Sequence, residues 1–263
     1  MINECKSIND IDCLLKYIDG NYKESIYLYL DANKYGISNS KVRSWIQKDN
    51  NQITSVILMY HNGMHIYSKE KLFDVSEVVE LILFVNPTMI CAEARIINLL
   101  SDYITGYEKE IGFVAQFTGK NNCNEFEGIS MANPSDYKKM AEMLLNDEIG
   151  NSYSLEELEA QIAERIQDGY SRSYCLYKDG DLVAQASTGA EGEGIATIAY
   201  VITNQHFRGH GYGKAIVTYL CNELVKEGFE VFLIYYSSEA GKLYLKNGFE
   251  NVCEYGKLYC NVQ

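Results

Sequence analysis

The stretch FRGHGYGKA, residues 207–215, places three glycines and two cationic side chains within nine positions. It follows a β-rich run, GIATIAYVIT (194–203), and precedes an amphipathic run, YGKAIVTYLCNELVKEG (212–228). A strand that ends in a glycine-rich turn and opens a helix aims several backbone N–H groups at one point, where the helix dipole adds partial positive charge. The pattern therefore predicts an anion-binding site between a strand and a helix.

The glycines have a physical role in such a site. Gly209, Gly211 and Gly213 lack the Cβ atoms that would keep a phosphate away from the amides, and they adopt positive φ at little cost. Arg208 and Lys214 add charge at the edges. The turn alone is a weak signal, because ligand-free turns also use glycine. A P-loop is disfavoured by the missing Gly-Lys-Ser/Thr ending, and a dinucleotide-binding fold by the glycine spacing.

The sequence around this turn alternates between strand and helix periods. Asn133 and Ser154 are expected to cap two helices, and Lys178-Asp179-Gly180-Asp181 predicts a hairpin turn. The predicted order from residue 125 onward is βααβββαβαβ. The elements are GISMA, NPSDYKKMAEMLL, SLEELEAQIAERIQDG, the two strands of SYCLYKDGDLVAQASTGA, GIATIAYVIT, YGKAIVTYLCNELVKEG, FEVFLIYY, SSEAGKLYLKNG and CEYGKLYCN.

The first half of the chain has a similar order. Two helices, a hairpin about Asn62-Gly63, a strand near LILFVN (81–86), a helix and a strand are predicted, which suggests a degenerate repeat of the second half. Its counterpart of the glycine turn, VNPTMICAEA (85–94), contains no glycine, so a second anion site is not expected there. The polar run FTGKNNCNEFEG (117–128) marks the join, which gives domains 1–122 and 123–263.

Composition narrows the function classes. With 47% hydrophobic residues the chain can bury a substantial core, and 36 acidic against 23 basic residues give a net charge of −13. That charge disfavours a broad nucleic-acid-binding surface and favours cationic substrates. No export signal, membrane span or CxxC pair is visible, and the eight cysteines are scattered, so we expect reduced thiols, a cytoplasmic location, no membrane partner and no metal site.

Two motifs resemble those of the GNAT acetyltransferase family. Arg208, Gly211 and Gly213 match the core of its acyl-CoA-binding motif, Arg/Gln-x-x-Gly-x-Gly/Ala. A second signature, Asn-x-x-Ala-x-x-x-Tyr-x-x-x-Gly-Phe, is matched by Ser237, Ala240, Tyr244, Gly248 and Phe249, with serine replacing the asparagine. The resemblance, including the element order, covers residues 125–263. It implies an α/β (α+β) fold with a mixed, mostly antiparallel sheet that is splayed at its centre and flanked by helices, here in two similar halves.

The resemblance also implies how acetyl-CoA, the co-substrate, would bind. The backbone of Val201 and Thr203 would hold the pantetheine arm, and an amide at Val201 or Ile202 would stabilise the oxyanion. The pyrophosphate would lie on the amides of residues 208–214, with the side chains of His210 and Tyr212 pointing outward. His210 is expected to be a solvent-facing loop residue rather than a catalytic one.

Candidate residues can be named for a proton donor, for a further coenzyme contact and for a base, although the resemblance implies no fixed base. Tyr244 is the candidate donor to the departing thiolate, although a tyrosine at helical spacing could simply pack. Ser237 could bind the pantetheine arm or cap its helix. Glu191 and Glu193, just ahead of the long strand, are the candidate bases, and Tyr200 or a water chain is the alternative. The two glutamates could also simply belong to a solvated acidic turn without a catalytic role.

The expected function is transfer of an acetyl group from acetyl-CoA to a primary amine of a small cationic molecule, directly and without an acyl-enzyme. A non-catalytic acyl-CoA sensor, a peptide or protein N-acetyltransferase and a purely structural protein are the alternatives. Aminoacyl transfer from tRNA by a tandem GNAT fold conflicts with the charge. The first half is expected to shape the acceptor pocket, to form a homodimer contact or only to pack.

Overall fold

The chain divides into two compact units. The structure, a computed structural model, describes residues 1–119, 127–146 and 154–260. Unit 1 comprises Met1–Val114, Tyr235–Ser237 and the residues from Asn251 onward, and unit 2 comprises Ala115–Ile234 and Ser238–Glu250. The predicted boundary at 122/123 falls outside the described residues and stays a prediction. The division differs from the predicted domains in counting two later segments with unit 1.

The secondary structure repeats once along the chain. Each run has the order βααβββαβαβ, which was predicted for the second half. The first run is β1 (Ile2–Glu4), α1 (Ile8–Ile18), α2 (Ile26–Tyr35), β2 (Val42–Asp49), β3 (Gln52–Tyr60), β4 (Gly63–Tyr67), α3 (Val75–Val85), β5 (Met89–Glu93), α4 (Ala94–Ser101) and β6 (Glu108–Phe117). The second run is β7 (Ile129–Met131), α5 (Tyr137–Asn146), α6 (Leu155–Gln167), β8 (Ser173–Lys178), β9 (Asp181–Gly192), β10 (Ile195–Thr203), α7 (Tyr212–Lys226), β11 (Glu230–Tyr235), α8 (Ser238–Lys246) and β12 (Phe249–Tyr259).

In unit 1, strands β1 to β4 form an antiparallel meander, and β5 lies parallel to β4. Residues 255–259 of β12 pair antiparallel with β5, which explains why the end of the chain belongs to this unit. Side chains alternate across the sheet: Val56 and Leu58 pack with α1 and α2, while Ile57 packs with α3 and α4. The sheet is therefore covered by helices on both faces.

In unit 2, β7 to β10 are antiparallel neighbours and β11 is parallel to β10. Helices α5 and α6 pack on Cys175, Leu182 and Ile202. Helix α6 begins at the predicted cap, Ser154, whose hydroxyl accepts from the Glu157 amide at 3.2 Å. The predicted hairpin also forms, with positive φ at Asp179 and Gly180. The mixed, mostly antiparallel sheet flanked by helices is thus confirmed.

One prediction for the first half is wrong. Residues 81–86, expected as a strand, lie in and cap helix α3, and the segment 85–94 contains β5 rather than a strand-to-helix turn. The counterpart of the glycine turn is therefore the β4–α3 connection, residues 68–74, SKEKLFD. It too contains no glycine, so we still expect no second anion-binding site of the glycine-turn kind in the first half.

Candidate active site

The open edge of strand β10 is created by a bulge. Ala199 is opposite Ser187 and Ile202 is opposite Gln185, so β10 carries one more residue than β9 between these pairs. Tyr200, inside the bulge, has φ 52°, a conformation that non-glycine residues rarely adopt. A bulge of this kind bends the strand and disrupts its pairing.

Strand β10 separates from β11 at the same point. Their parallel pairing runs from Ile195 with Glu230 to Ile198 with Leu233 and ends there. No pairing between Ala199–Thr203 and β11 exists in the described part of the sheet. The predicted splay is therefore present, and it exposes backbone groups on the β11 side of β10.

The register indicates which amides face this gap. The Asn204 N–H donates to the Val183 carbonyl of β9 at 2.9 Å. The N–H of Ile202, two residues earlier, points in the same direction, towards β9. Because successive residues of a strand point their N–H groups to opposite sides, Val201 and Thr203 face away from β9. The predicted pantetheine-binding residues therefore lie on the open edge, whereas the Ile202 amide faces β9. Of the two proposed oxyanion donors, the geometry favours Val201.

The glycine loop begins with a 3₁₀ turn at Gln205–Phe207, capped by the Asn204 side chain, which accepts from the His206 amide at 3.1 Å. Gly209 and Gly211 have φ of 82° and 83°, so the predicted positive φ is confirmed for these two. Gly211 is the N-cap of α7, and no side chain caps this helix within the described structure. The first intrahelical bond runs from the Ala215 N–H to the Gly211 carbonyl, so helix geometry leaves the amides of the first turn directed outward.

Gly213 is required for a different reason from the one predicted. It lies in the first turn of α7 without positive φ, and a Cβ atom there would lie 2.8 Å from Thr203 Oγ1. Real Cβ atoms do not approach that closely, so glycine permits α7 to begin against the end of β10. The same glycine thereby brings the helix N-terminus next to the open strand edge.

The side chains of the loop form a small network. The exposed Arg208 donates through Nε to the Thr203 carbonyl at 3.3 Å, and Lys214 is exposed. His210 is exposed as predicted, and its Nδ1 donates to the carbonyls of Phe207 and Arg208 at 3.2 and 3.0 Å.

Tyr212 does not point outward as expected. It is only 8% exposed, its ring stacks on that of His210 at 5.8 Å, and its hydroxyl accepts from Lys178 Nζ at 3.0 Å. From the sequence, Lys178 is predicted only as part of a hairpin turn. Its contact with Tyr212, 34 residues later in the chain, has no local sequence pattern that would predict it.

Tyr244 lies on α8 and is partly buried. Its ring contacts Phe249 edge-on at 5.8 Å, and burial beside Cys221 raises the pKa of Tyr244 to about 12. A phenol with this pKa keeps its proton at neutral pH and can donate it. Ser237 immediately precedes α8 and is exposed. Both assigned roles stay predictions.

Glu191 lies at the far end of β10 from the glycine loop. It is opposite Ala196, about 16 Å along the strand from Val201 at 3.3 Å per residue. Its carboxylate pairs with Arg172 at 2.7 Å and accepts from Thr188 Oγ1 at 2.6 Å. Glu193 is exposed in the following turn. Neither position suits a base for an amine bound near Val201.

A groove of about 480 Å³ lies beside the end of β10. Its charged and polar lining includes Lys139, Glu142, Asp181, Asn204 and His206. Among the residues that the structure describes, no group of three or more His, Cys, Asp or Glu side chains could hold a metal ion. No helix in the same residues combines the length and apolar character needed to cross a membrane.

Comparison with known proteins agrees with this geometry. Residues 138–249 match the model of the acetyltransferase (GNAT) family. No curated protein matches the sequence.

Solved structures of similar fold cover nearly the whole chain. An acetyltransferase from the GNAT family of Colwellia psychrerythraea has a TM-score of 0.64 at 15% identity and covers 99% of this chain and 100% of its own. A GCN5-related N-acetyltransferase from Sphaerobacter thermophilus scores 0.65 at 13% identity, covering 98% and 94%. A tandem GNAT protein from the clavulanic acid biosynthesis pathway scores 0.59 at 11%, covering 98% of each chain. At these identities the likeness shows the fold, and the match to the acetyltransferase (GNAT) family model covers residues 138–249, which is less than half of the chain.

Proposed function

We propose that the protein transfers an acetyl group from acetyl-CoA to the primary amine of a small cationic molecule. The observation that supports this most strongly is the combination of an open β10 edge with a helix N-terminus that has no side-chain cap. An extended pantetheine arm can bind an open strand edge by main-chain hydrogen bonds, and a diphosphate can accept from helix N-terminal amides. Gly213 brings the two binding elements together.

The local charge supports binding of an anion at this place. Residues 194–222 contain no aspartate or glutamate, although the protein as a whole carries a charge of −13. Arg208 and Lys214 flank the amides, and the dipole of α7 adds partial positive charge. A diphosphate would therefore meet favourable charge at the loop in an otherwise acidic protein.

The proposed reaction uses these groups as follows. The amine nitrogen attacks the thioester carbon, and the Val201 amide stabilises the negative charge that develops on the carbonyl oxygen. The carbon–sulfur bond breaks, Tyr244 donates a proton to the thiolate, and the resulting tyrosinate recovers a proton from water. The amine proton passes to water, since Glu191 and Glu193 lie away from this position. Most of the acceleration comes from holding amine and thioester together in one ternary complex.

The acceptor is proposed to be cationic because an acidic protein attracts cations by long-range electrostatics. The amine must lose a proton before it attacks, so the rate should rise with pH as the free base becomes more abundant. We place the reaction in the cytoplasm, because the cysteines are scattered singly along the chain rather than arranged as a disulfide framework.

A non-catalytic acyl-CoA sensor is the second candidate, favoured by the unsuitable positions of Glu191 and Glu193. One experiment separates the two: acetyl-CoA binding by calorimetry, followed by an amine panel in which release of the free CoA thiol is measured. An enzyme binds acetyl-CoA and releases thiol with at least one cationic amine. A sensor binds the coenzyme and releases none with any amine. Failure to bind acetyl-CoA would rule out both.

A further inference from the structure

Lys178 brings a cation to the glycine loop from a distant part of the sequence. It is the last residue of β8, at the hairpin that leads into β9, and its side chain is solvent-exposed. Its Nζ donates to the hydroxyl of Tyr212 at 3.0 Å and lies 5.7 Å from the centre of that ring. Tyr212 is the first residue of α7, so the ammonium group contacts the tip of a side chain that comes from the first turn of this helix.

Lys178 adds a further positive charge to the side chains around the start of α7. A helix N-terminus carries partial positive charge, and cations are normally found at the opposite end of a helix. Arg208 and Lys214 already surround the same turn. The acids nearest in sequence are Asp179 and Asp181 of the hairpin, and no carboxylate among the described residues forms an ion pair with Lys178. Asp179 is the acid that acts on Lys178 electrostatically, and a phosphoryl group bound at the loop would add a second negative charge.

The surroundings of Tyr212 suggest how the lysine is held. The phenol ring stacks on His210, whose Nδ1 donates to two carbonyls of the loop. The ring is therefore fixed from the loop side, and its hydroxyl provides an acceptor for the ammonium group. The other two N–H bonds of the ammonium remain able to donate to an oxyanion.

We infer that Lys178 is a phosphate-binding residue of the coenzyme site, held in place by Tyr212. The inference rests on the proposed function and adds to it a residue outside the glycine loop. Lys178 would bind a phosphoryl oxygen of the nucleotide part of CoA, while the loop amides bind the diphosphate. Affinity for the coenzyme would thus depend on the β8–β9 hairpin as well as on the loop.

The test measures the dissociation constant of CoA by calorimetry for the full chain, at low and high salt. The variants are Lys178→Met, Lys178→Arg and Tyr212→Phe, with Lys138→Met on α5 as the matched control for loss of one lysine charge. Lys178→Met should weaken CoA binding about tenfold or more, the size of one lost charge-assisted hydrogen bond. Lys178→Arg should stay within about threefold, and Tyr212→Phe should fall between the two.

Salt dependence distinguishes phosphate binding from a structural role. Wild-type affinity should fall more steeply with salt than that of Lys178→Met, because one ionic contact is missing in the variant. Lys138→Met should behave as wild type. Equal CoA affinity and equal salt dependence in wild type and Lys178→Met would overturn the inference and leave the proposed function standing, as would an arginine variant as weak as the methionine one. A wild-type protein that binds no CoA would instead refute the proposed function, and this inference with it.

Discussion

The N-termini of α3 and α7 occupy the same place in the two repeats, but only one is left open. Helix α7 is capped by Gly211 without a side chain, whereas Asp74 caps α3 and accepts from the Glu77 amide at 3.1 Å. The buried Gln47 accepts from the Asp74 amide and donates to its carbonyl and to Glu77. In unit 1 the protein's own carboxylate and amide groups occupy the position where unit 2 would hold a phosphate.

The place where the two parallel strands separate also differs between the units. Pairing of β4 with β5 ends at His65 and Cys91, as pairing of β10 with β11 ends at Ile198 and Leu233. In unit 1 aromatic side chains lie at this point: Tyr255 has its hydroxyl 3.5 Å from His65 Nδ1, and Tyr27 lies 5.6 Å from the imidazole ring. Helix α4 carries no tyrosine, whereas α8 carries Tyr244. The repeat thus preserves the fold, while the helix N-terminus without a side-chain cap is found in unit 2.

Tyr244→Phe should give the largest effect, because it removes the only hydroxyl assigned to the leaving thiolate. Turnover should fall about a hundredfold or more, within the range for loss of a general acid. CoA affinity should stay within about twofold, since the ring and its contact with Phe249 remain. The measurement is thiol release under saturating acetyl-CoA, with calorimetric CoA binding as the control. Equal turnover in the two proteins would remove Tyr244 from the mechanism.

His65 should make the protein sensitive to acid. Burial lowers the pKa of His65 to about 4, below the 6.5 of an unfolded histidine. The unfolded state therefore binds more protons, so stability is full above pH 6.5 and is lost as the pH falls towards 4. The loss should reach about 3 kcal/mol at 1.36 kcal/mol per pH unit.

Urea unfolding between pH 7 and 4.5 measures this slope before most carboxylates titrate. His65→Gln should flatten it, whereas His206→Gln, which changes an exposed histidine of unit 2, should leave it unchanged. A slope that survives in His65→Gln would assign the acid sensitivity to other groups.

Gly213→Ala should weaken CoA binding about tenfold or more, the effect of overpacking by about 1–3 kcal/mol. The new Cβ would meet Thr203 Oγ1 at 2.8 Å, which would push α7 away from the open strand edge. Thr203→Ala in the same chain removes the clashing oxygen and should restore most of the affinity. Calorimetry of the single and double variants checks this. A double variant as weak as Gly213→Ala would mean that the contact with Thr203 is not the cause.

The sequence predicted unit 2 better than unit 1 because glycine and serine mark several of its element ends, although α5 begins at Tyr137 and not directly after the predicted cap, Asn133. The Ser154 cap, the Asp179-Gly180 turn and the positive φ of Gly211 are local features that residue type alone decides. In unit 1, VVELILFV has no such marker, and a continuous apolar run fits a buried strand as well as a helix. The Asp74 cap, four residues before this run, was the available signal.

The candidate site was predicted in its backbone but less well in its side chains. The motif positions predicted the gap beside β10 and the glycine turn at the start of α7. The inward position of Tyr212 depends on a contact with Lys178, 34 residues earlier in the chain. The prediction of Glu191 as a base rests on its position just before the long strand. Only the register showed that this end of the strand lies away from the loop, next to Arg172. Contacts between distant segments carry no signal in a single sequence.

Asp74→Ala tests the comparison from the side of unit 1, with the smallest expected effect. Removing the cap should cost about 1 kcal/mol of unfolding free energy, measured by urea denaturation. CoA affinity should not change, because the open helix N-terminus proposed to bind phosphate belongs to α7. Asp74→Asn serves as the control, since it keeps a capping oxygen and should lose only a few tenths of a kcal/mol. The outcome that would contradict this is a second CoA site in Asp74→Ala. That result would mean that the Asp74 carboxylate alone keeps phosphate away from the N-terminus of α3, and that phosphate binding there does not need glycine.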